Sequence, residues 1–219
     1  MSLNKPIWKL RDWIDKDKLD WDMLSLNKNA IDLLKENPEK INWNILSENP
    51  NAIELFEQNI IKGQDNINWK YISINKNAIH ILEKNLEKIN WDILSENLNA
   101  IKMLEKHRDK INWDILSYNK NAIHLLEKNI DKINWNYLSC NKNAIKMLEK
   151  HRDKINWDNL SLNSNAIYLL EENPDKINWD NLSENPKAIN LLEKNILIGY
   201  IYQKIRMLLR FLKSIEILV

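Results

Sequence analysis

Tryptophan recurs at residues 21, 43, 69, 91, 113, 135, 157 and 179, 22 residues apart at every step except the 26 between Trp43 and Trp69. The words around it recur too, as INW, LS and NAIxLLEKN. A unit this short cannot bury its own apolar face, so order has to come from like units stacked beside it. The longer step holds four extra residues around Ile61, Lys62, Gly63 and Gln64, after which the pattern resumes. Tolerating that insertion is what a modular stack does.

Composition selects helix for the unit. Two glycines and five prolines in 219 residues are too few for a turn-rich β protein, and Leu, Ile, Lys and Glu are good helix formers. Asparagine suits caps better than helix interiors. The Asn before each Trp, such as Asn112 (Asp20 in the first unit), is therefore expected to cap a short helix A that starts at the Trp. Asp114 then lies in the first turn, where the helix dipole favours it. Trp113 and Leu116, at i and i+3, share a face, and each Trp is expected to bury on the order of 200 Å² against neighbouring repeats.

The Asn two residues after Ser never varies (27, 49, 75, 97, 119, 141, 163 and 185), and is expected to be the N-cap of a helix B of about nine residues. Pro50 and Pro186 would sit at its N1 position. Ala122, Ile123, Leu125 and Leu126 would form its apolar stripe. Asn37, Asn129 and Asn173 are expected at its C-terminus in a left-handed conformation, with Pro38 and Pro174 as stops. The expected architecture is an all-α solenoid of eight 22-residue helix pairs with terminal caps. A leucine-rich repeat has a similar period, but the unit lacks its LxxLxL strand.

The chain divides into a capping segment (1–18), the eight repeats (19–195) and a tail (196–219). In the first, residues 6–14 would form an opening helix with Pro6 at N1 and Trp8 and Trp13 covering the first repeat. In the tail, Ile198, Ile201, Ile205, Leu208, Leu212, Ile215 and Val219 step by three and four beside Lys204, Arg206, Arg210 and Lys213. Such an amphipathic helix could cap the last repeat, pair with a second copy or lie on a membrane surface. The self-association reading rests on Ile201, Ile205, Leu208, Leu212 and Ile215, and would make a homodimer.

Charge and chemistry narrow the function. The 32 Lys plus Arg against 31 Asp plus Glu give a net charge of +1, too little for global steering towards nucleic acid or anionic membrane. Cys140 is the lone cysteine, so no intrachain disulfide forms and a reducing compartment is expected. Neither a secretory signal nor an uncharged stretch near ~20 residues is visible. His80 and His124 are 44 residues apart, as are His107 and His151. Each pair thus occupies equivalent positions two repeats apart, too far to share a metal. Serines that recur eight times suit backbone hydrogen bonds better than a single nucleophile. No phosphate-binding glycine loop or nucleophile elbow occurs, so no catalytic residue, metal or cofactor is expected.

What remains is surface that changes against a constant core, which is how solenoids present a binding face. Two columns vary: the residue after the first Ile of helix B, and the residue after Ser. With neighbouring basic residues they give the candidate binding residues His80, Lys102, His107, Arg108, Tyr118, His124, Lys146, His151, Arg152 and Tyr168. Drift at exposed sites is the alternative. Lys102, Arg108, Lys146 and Arg152 are the best local basic group, and RNA-binding solenoids read bases repeat by repeat, but interleaved acids weaken that reading.

Through INWDILSENPNAIELFEQN and the opening KLRDWIDKDKLDWDMLS, the chain resembles the short Trp-containing helical repeats that giant DNA viruses related to mimivirus encode in many copies. The likeness covers about residues 7–195; the insertion at Gly63 and the tail depart from it. It implies an interaction role in the cytoplasm of an infected cell, or a place in the virion, and no catalytic residues. The expectation is a scaffold for an unidentified protein of the host cell. A structural or self-assembling component is the main alternative.

Overall fold

The structure, a computed structural model, describes residues 10–194 and Lys204. They are all-helical, an α-solenoid without strands among the described residues. Two compact units divide between Leu125 and Leu126. In the first, the A helices are Trp21–Leu26, Trp43–Leu46, Trp69–Ile74, Trp91–Glu96 and Trp113–Tyr118. They alternate with the B helices Ile31–Glu36, Ile53–Ile61, Ile79–Leu82 and Ile101–Lys106. The division falls inside a further B helix, Ile123–Glu127. The second unit holds the A helices Trp135–Cys140, Trp157–Ser161 and Trp179–Ser183, the B helices Ile145–Lys150 and Ile167–Glu172, and helical residues 189–194.

Helix A begins at the Trp, capped as its sequence requires. Asn90 accepts the Ile93 N–H at 3.0 Å, and Asp20 does the same for Met23 at 3.0 Å. Helix B does not begin where expected. The invariant Asn is instead the C-cap of helix A: the Asn97 N–H bonds to the Leu94 carbonyl, and the cap of helix B is Ala100, with no side-chain bond. Asn97 Oδ1 accepts the Asn99 N–H at 3.0 Å, closing a turn before the helix starts. Pro50 and Pro186 lie in such turns, not at N1.

The end of helix B also differs. Asn37 and Asn173 both have φ −134° and Asn129 has φ −140°, and among the described residues only Gly63 has positive φ. Asn37 and Asn173 each turn their side-chain amide back to a helix carbonyl, Leu33 and Leu169, at 2.8 Å. Pro38 and Pro174 open a third element, the 3₁₀ turns Pro38–Lys40 and Pro174–Lys176; a fixed φ suits that N1 site as well. Most B helices are therefore six residues or fewer. In the second repeat the insertion lengthens the helix to Ile53–Ile61 and no 3₁₀ turn follows.

The core is narrower than the indoles suggested. Leu46, Leu94, Leu116, Leu138, Leu160 and Leu182, three residues after a Trp, are fully buried, each worth about 1.5–3 kcal/mol against exposure. Every repeat Trp, at the first residue of helix A, is only half-buried. Trp13 is 77 % exposed, residues 10–14 form a turn and not a helix, and the indole lines an open cleft of about 900 Å³ with Leu24 and Leu33 of the first repeat. Pro6, Trp8 and the tail residues proposed for self-association (Ile201, Ile205, Leu208, Leu212, Ile215) lie outside the described residues.

Polar side chains join one repeat to the next. A six-residue helix leaves most of its carbonyls without an intrahelical partner. In the first unit, Asn49 Nδ2 donates to the Ser25 and Asn27 carbonyls at 2.9 and 3.2 Å, and Asn97 Nδ2 to those of Ser73 and Asn75 at 2.9 and 3.3 Å. Across the insertion the same bonds run from Asn75 to Ser47 and Asn49, at 3.2 and 3.1 Å. In the second unit Asn163 repeats them to Ser139 and Asn141, at 3.0 and 3.1 Å. Ser95 Oγ donates to the Trp91 carbonyl and accepts the Asn112 N–H of the following repeat, at 2.9 and 3.1 Å. These serines are used as backbone linkers, as their recurrence indicated.

Candidate interaction surface

The outward side of the B helices carries the first variable column, and the structure gives Glu54, His80, His124 and Tyr168 in it partners in the preceding repeat. His80 Nε2 lies 3.0 Å from Glu57 Oε1, and His124 Nε2 lies 2.9 Å from Glu105 Oε1. The Tyr168 hydroxyl donates to Glu149. In each case a donor meets the Glu of the preceding repeat, six residues after its Asn-Ala start. The first step is inverted and still matched: Lys35 stands where Glu is usual, and it pairs with Glu54 at the variable position. At these four positions variation in the column preserves donor–acceptor complementarity.

The other candidate residues distribute as follows. His107 and His151 rest on the indoles of Trp91 and Trp135, each with ring centroids 5.1 Å apart and planes at 55°. Identical geometry in the two units is what a duplicated two-repeat block would give. Arg152 pairs with Glu172 at 3.0 Å beside Tyr168 and Glu149, forming one small charged cluster in the second unit. Loss of hydration, then the Glu149 carboxylate, pushes the Tyr168 phenol up to about 12. Lys102 and Arg108 are exposed in the first unit, Lys146 in the second. His80 and His124 are not brought together; each faces its own glutamate. The repeated Asp-Lys steps are exposed, with Lys110 3.5 Å from Asp109 and Lys154 3.7 Å from Asp153.

The A helices behave differently. Residues two and five positions after the Trp share one edge, by i, i+3 spacing. In the first unit that edge carries Met23 (63 % exposed), Leu26 (44 %), Tyr71 (38 %) and Tyr118 (57 %). Ile45, Ile74, Ile93 and Ile115 on the same edge are half-buried. A groove of about 520 Å³ opens there, floored by Tyr71, Ile74, Ile93 and Pro50 and rimmed by Lys28, Lys70, Lys76 and Glu48. Tyr118 was legible from the sequence as part of the second variable column. Met23, Tyr71 and, in the second unit, Tyr137 were not, although the changing residue in WDxLS could have signalled them.

Cys140 is half-buried, its thiol 3.7 Å from the Asn159 carbonyl, and burial raises its pKa above the ordinary range. That disfavours the thiolate a nucleophile needs. Among the described residues no three His, Cys, Asp or Glu side chains gather as a metal site would require, and no helix is long and apolar enough to cross a membrane. Comparison of the chain with protein-family models, curated proteins and solved structures returns no match.

Proposed function

We propose that the chain is a non-catalytic scaffold that holds a protein partner along the A-helix edge of its first unit. The observation that supports this most is the contrast between the two outer sides. His80 and His124 on the B helices are engaged by the preceding repeat, whereas Met23, Leu26, Tyr71 and Tyr118 stand exposed along one edge of the A helices. Tyr and Met are enriched where proteins meet, because each offers a large contact area with an adaptable or polar tip. Lysines around the groove favour a partner segment that is acidic next to its apolar anchors. From the resemblance to giant-virus repeats, the partner is expected in an infected host cell.

A structural or self-assembling role is the competing reading. A photo-crosslinking amino acid at Tyr118, compared with one at His124, separates the two. The scaffold reading predicts a defined heterologous adduct at Tyr118 and none at His124. An adduct between copies of the chain supports self-assembly, and equal labelling at both sites contradicts a dedicated edge.

A further inference from the structure

Three residues before each repeat Trp the chain places a lysine, with one gap: Lys18, Lys40, Asn66, Lys88, Lys110, Lys132, Lys154 and Lys176. From the second repeat on, this lysine can serve the indole of the repeat before its own. Lys88 Nζ lies 5.0 Å above the Trp69 ring, and Lys176 Nζ 4.8 Å above Trp157. An acid four residues before the covered Trp completes the arrangement. Asp65 accepts from Lys88 at 3.1 Å and from the Trp69 indole N–H at 3.0 Å. Those two bonds, indole first, hold its carboxyl below the usual range. Lys40 reaches Asp17, four residues before Trp21, at 3.5 Å.

The gap falls at Trp43. The residue in register above it is Asn66, which has no charge, and Lys62, upstream in the insertion, ends the lengthened B helix. Glu39 occupies the acid position four residues before Trp43 and makes no ion pair among the described residues. An open, largely polar depression of about 510 Å³ lies at this point, lined by Asp22, Lys40, Ile41, Asn42, Trp43, Asn44 and Asn66. The lysine in that lining is already engaged by Asp17.

We propose that the cavity at Trp43 binds an alkylammonium group, the side chain of a lysine on the partner protein, in the place that the chain's own lysines fill at Trp69 and Trp157. An indole face attracts a cation through its ring quadrupole. The Asp22 carboxylate lines the site, where it accepts the Asn42 side-chain amide at 2.9 Å; Lys40 in the same lining is held by Asp17, and among the described residues no lysine pairs with Asp22. Asn66 in place of the regular lysine thus has a chemical consequence: it removes a cation supplied in cis and leaves a seat for one supplied in trans. The protein origin of that lysine rests on the scaffold reading; the seat itself does not.

Indole ¹H–¹⁵N resonances of the full chain, with Trp43 assigned through Trp43→Phe, give the test. The probes are Nα-acetyl-lysine N-methylamide, a tri-lysine peptide, spermidine, and the norleucine analogue of the first as a neutral control. The lysine amide is expected to shift Trp43 saturably with a Kd in roughly the millimolar range, as a single exposed cation–π contact allows. Trp69 and Trp157, already covered, should stay in place. Asn66→Lys restores the cis cation and should weaken the response at least about tenfold. Equal shifts at all three indoles, an equal response to norleucine amide, or an undiminished response in Asn66→Lys overturns the proposal. Saturation by spermidine but not by either lysine probe overturns the assignment to a protein lysine. A positive titration with a silent Tyr118 crosslink would overturn the scaffold reading and leave the seat standing.

Discussion

The Asn97 side-chain amide donates to the Ser73 carbonyl one repeat away, at 2.9 Å, while its own oxygen accepts the Asn99 N–H at 3.0 Å. One side chain thus closes a turn in its own repeat and satisfies the helix end of the repeat before it. The side chain of Asn27, in the first repeat, makes only the turn bond among the described residues, accepting the Asn29 N–H at 2.9 Å, and the residue is exposed. The two positions separate what the residue does locally from what it does between repeats.

Asn97→Ala should therefore destabilise the first unit by roughly 2–4 kcal/mol, because buried carbonyls of Ser73 and Asn75 lose their donor. Asn27→Ala should cost about 1 kcal/mol or less, the loss of a local turn bond. Urea unfolding followed by circular dichroism checks both. Equal effects would mean that the bond between repeats contributes nothing.

Serine admits the same comparison. Ser95→Ala removes the acceptor of the buried link to Asn112 and should cost about 1–3 kcal/mol. Ser183, exposed and bonded among the described residues only to the Asp180 carbonyl at 2.6 Å, should tolerate alanine within about 0.5 kcal/mol. Thermal melts of the two variants decide it.

The Lys35–Glu54 pair predicts a charge-reversal cycle. Lys35→Glu and Glu54→Lys should each destabilise slightly, and the double variant should recover most of the loss. The coupling should be about 0.3–1 kcal/mol, as for partly exposed ion pairs. Additive losses would show that the column is coincidental rather than complementary.

Tyr168 gives a pH prediction. Its phenol is pushed up to about 12, above an unfolded value near 10. The contribution of its bond to Glu149 is then fully present below about pH 10 and lost as pH rises towards 12. Difference absorbance of phenolate between the chain and Tyr168→Phe should show one tyrosine titrating late. A midpoint near pH ~10 would contradict the bond.

The sequence disclosed the period, the start of helix A at Trp and its Asn or Asp cap, because each rests on chemistry within a few residues. It misplaced the invariant Asn. A helix N-cap and a residue that closes the preceding helix ask for the same short acceptor, and the deciding bond goes to a carbonyl 22 or 24 residues away in a regular step. The 3₁₀ turn was missed because Pro38 and Pro174 read equally well as stops and as starts. Tryptophan was read as core because of its size, yet the lysine three residues before the next Trp was the visible sign that the ring keeps an open face. At the surface, Tyr118 was legible because its column varies. The internal engagement of His80, His124 and Tyr168 was not, since their glutamate partners belong to the repeat before.

Exchange of side-chain amide protons tests the linkage between repeats most directly. The account predicts that the Nδ2 protons of Asn49, Asn75 and Asn97 exchange with solvent at least about a hundredfold more slowly than those of Asn27, since their release requires the stack to open. Rates for those three equal to that of Asn27 would contradict it.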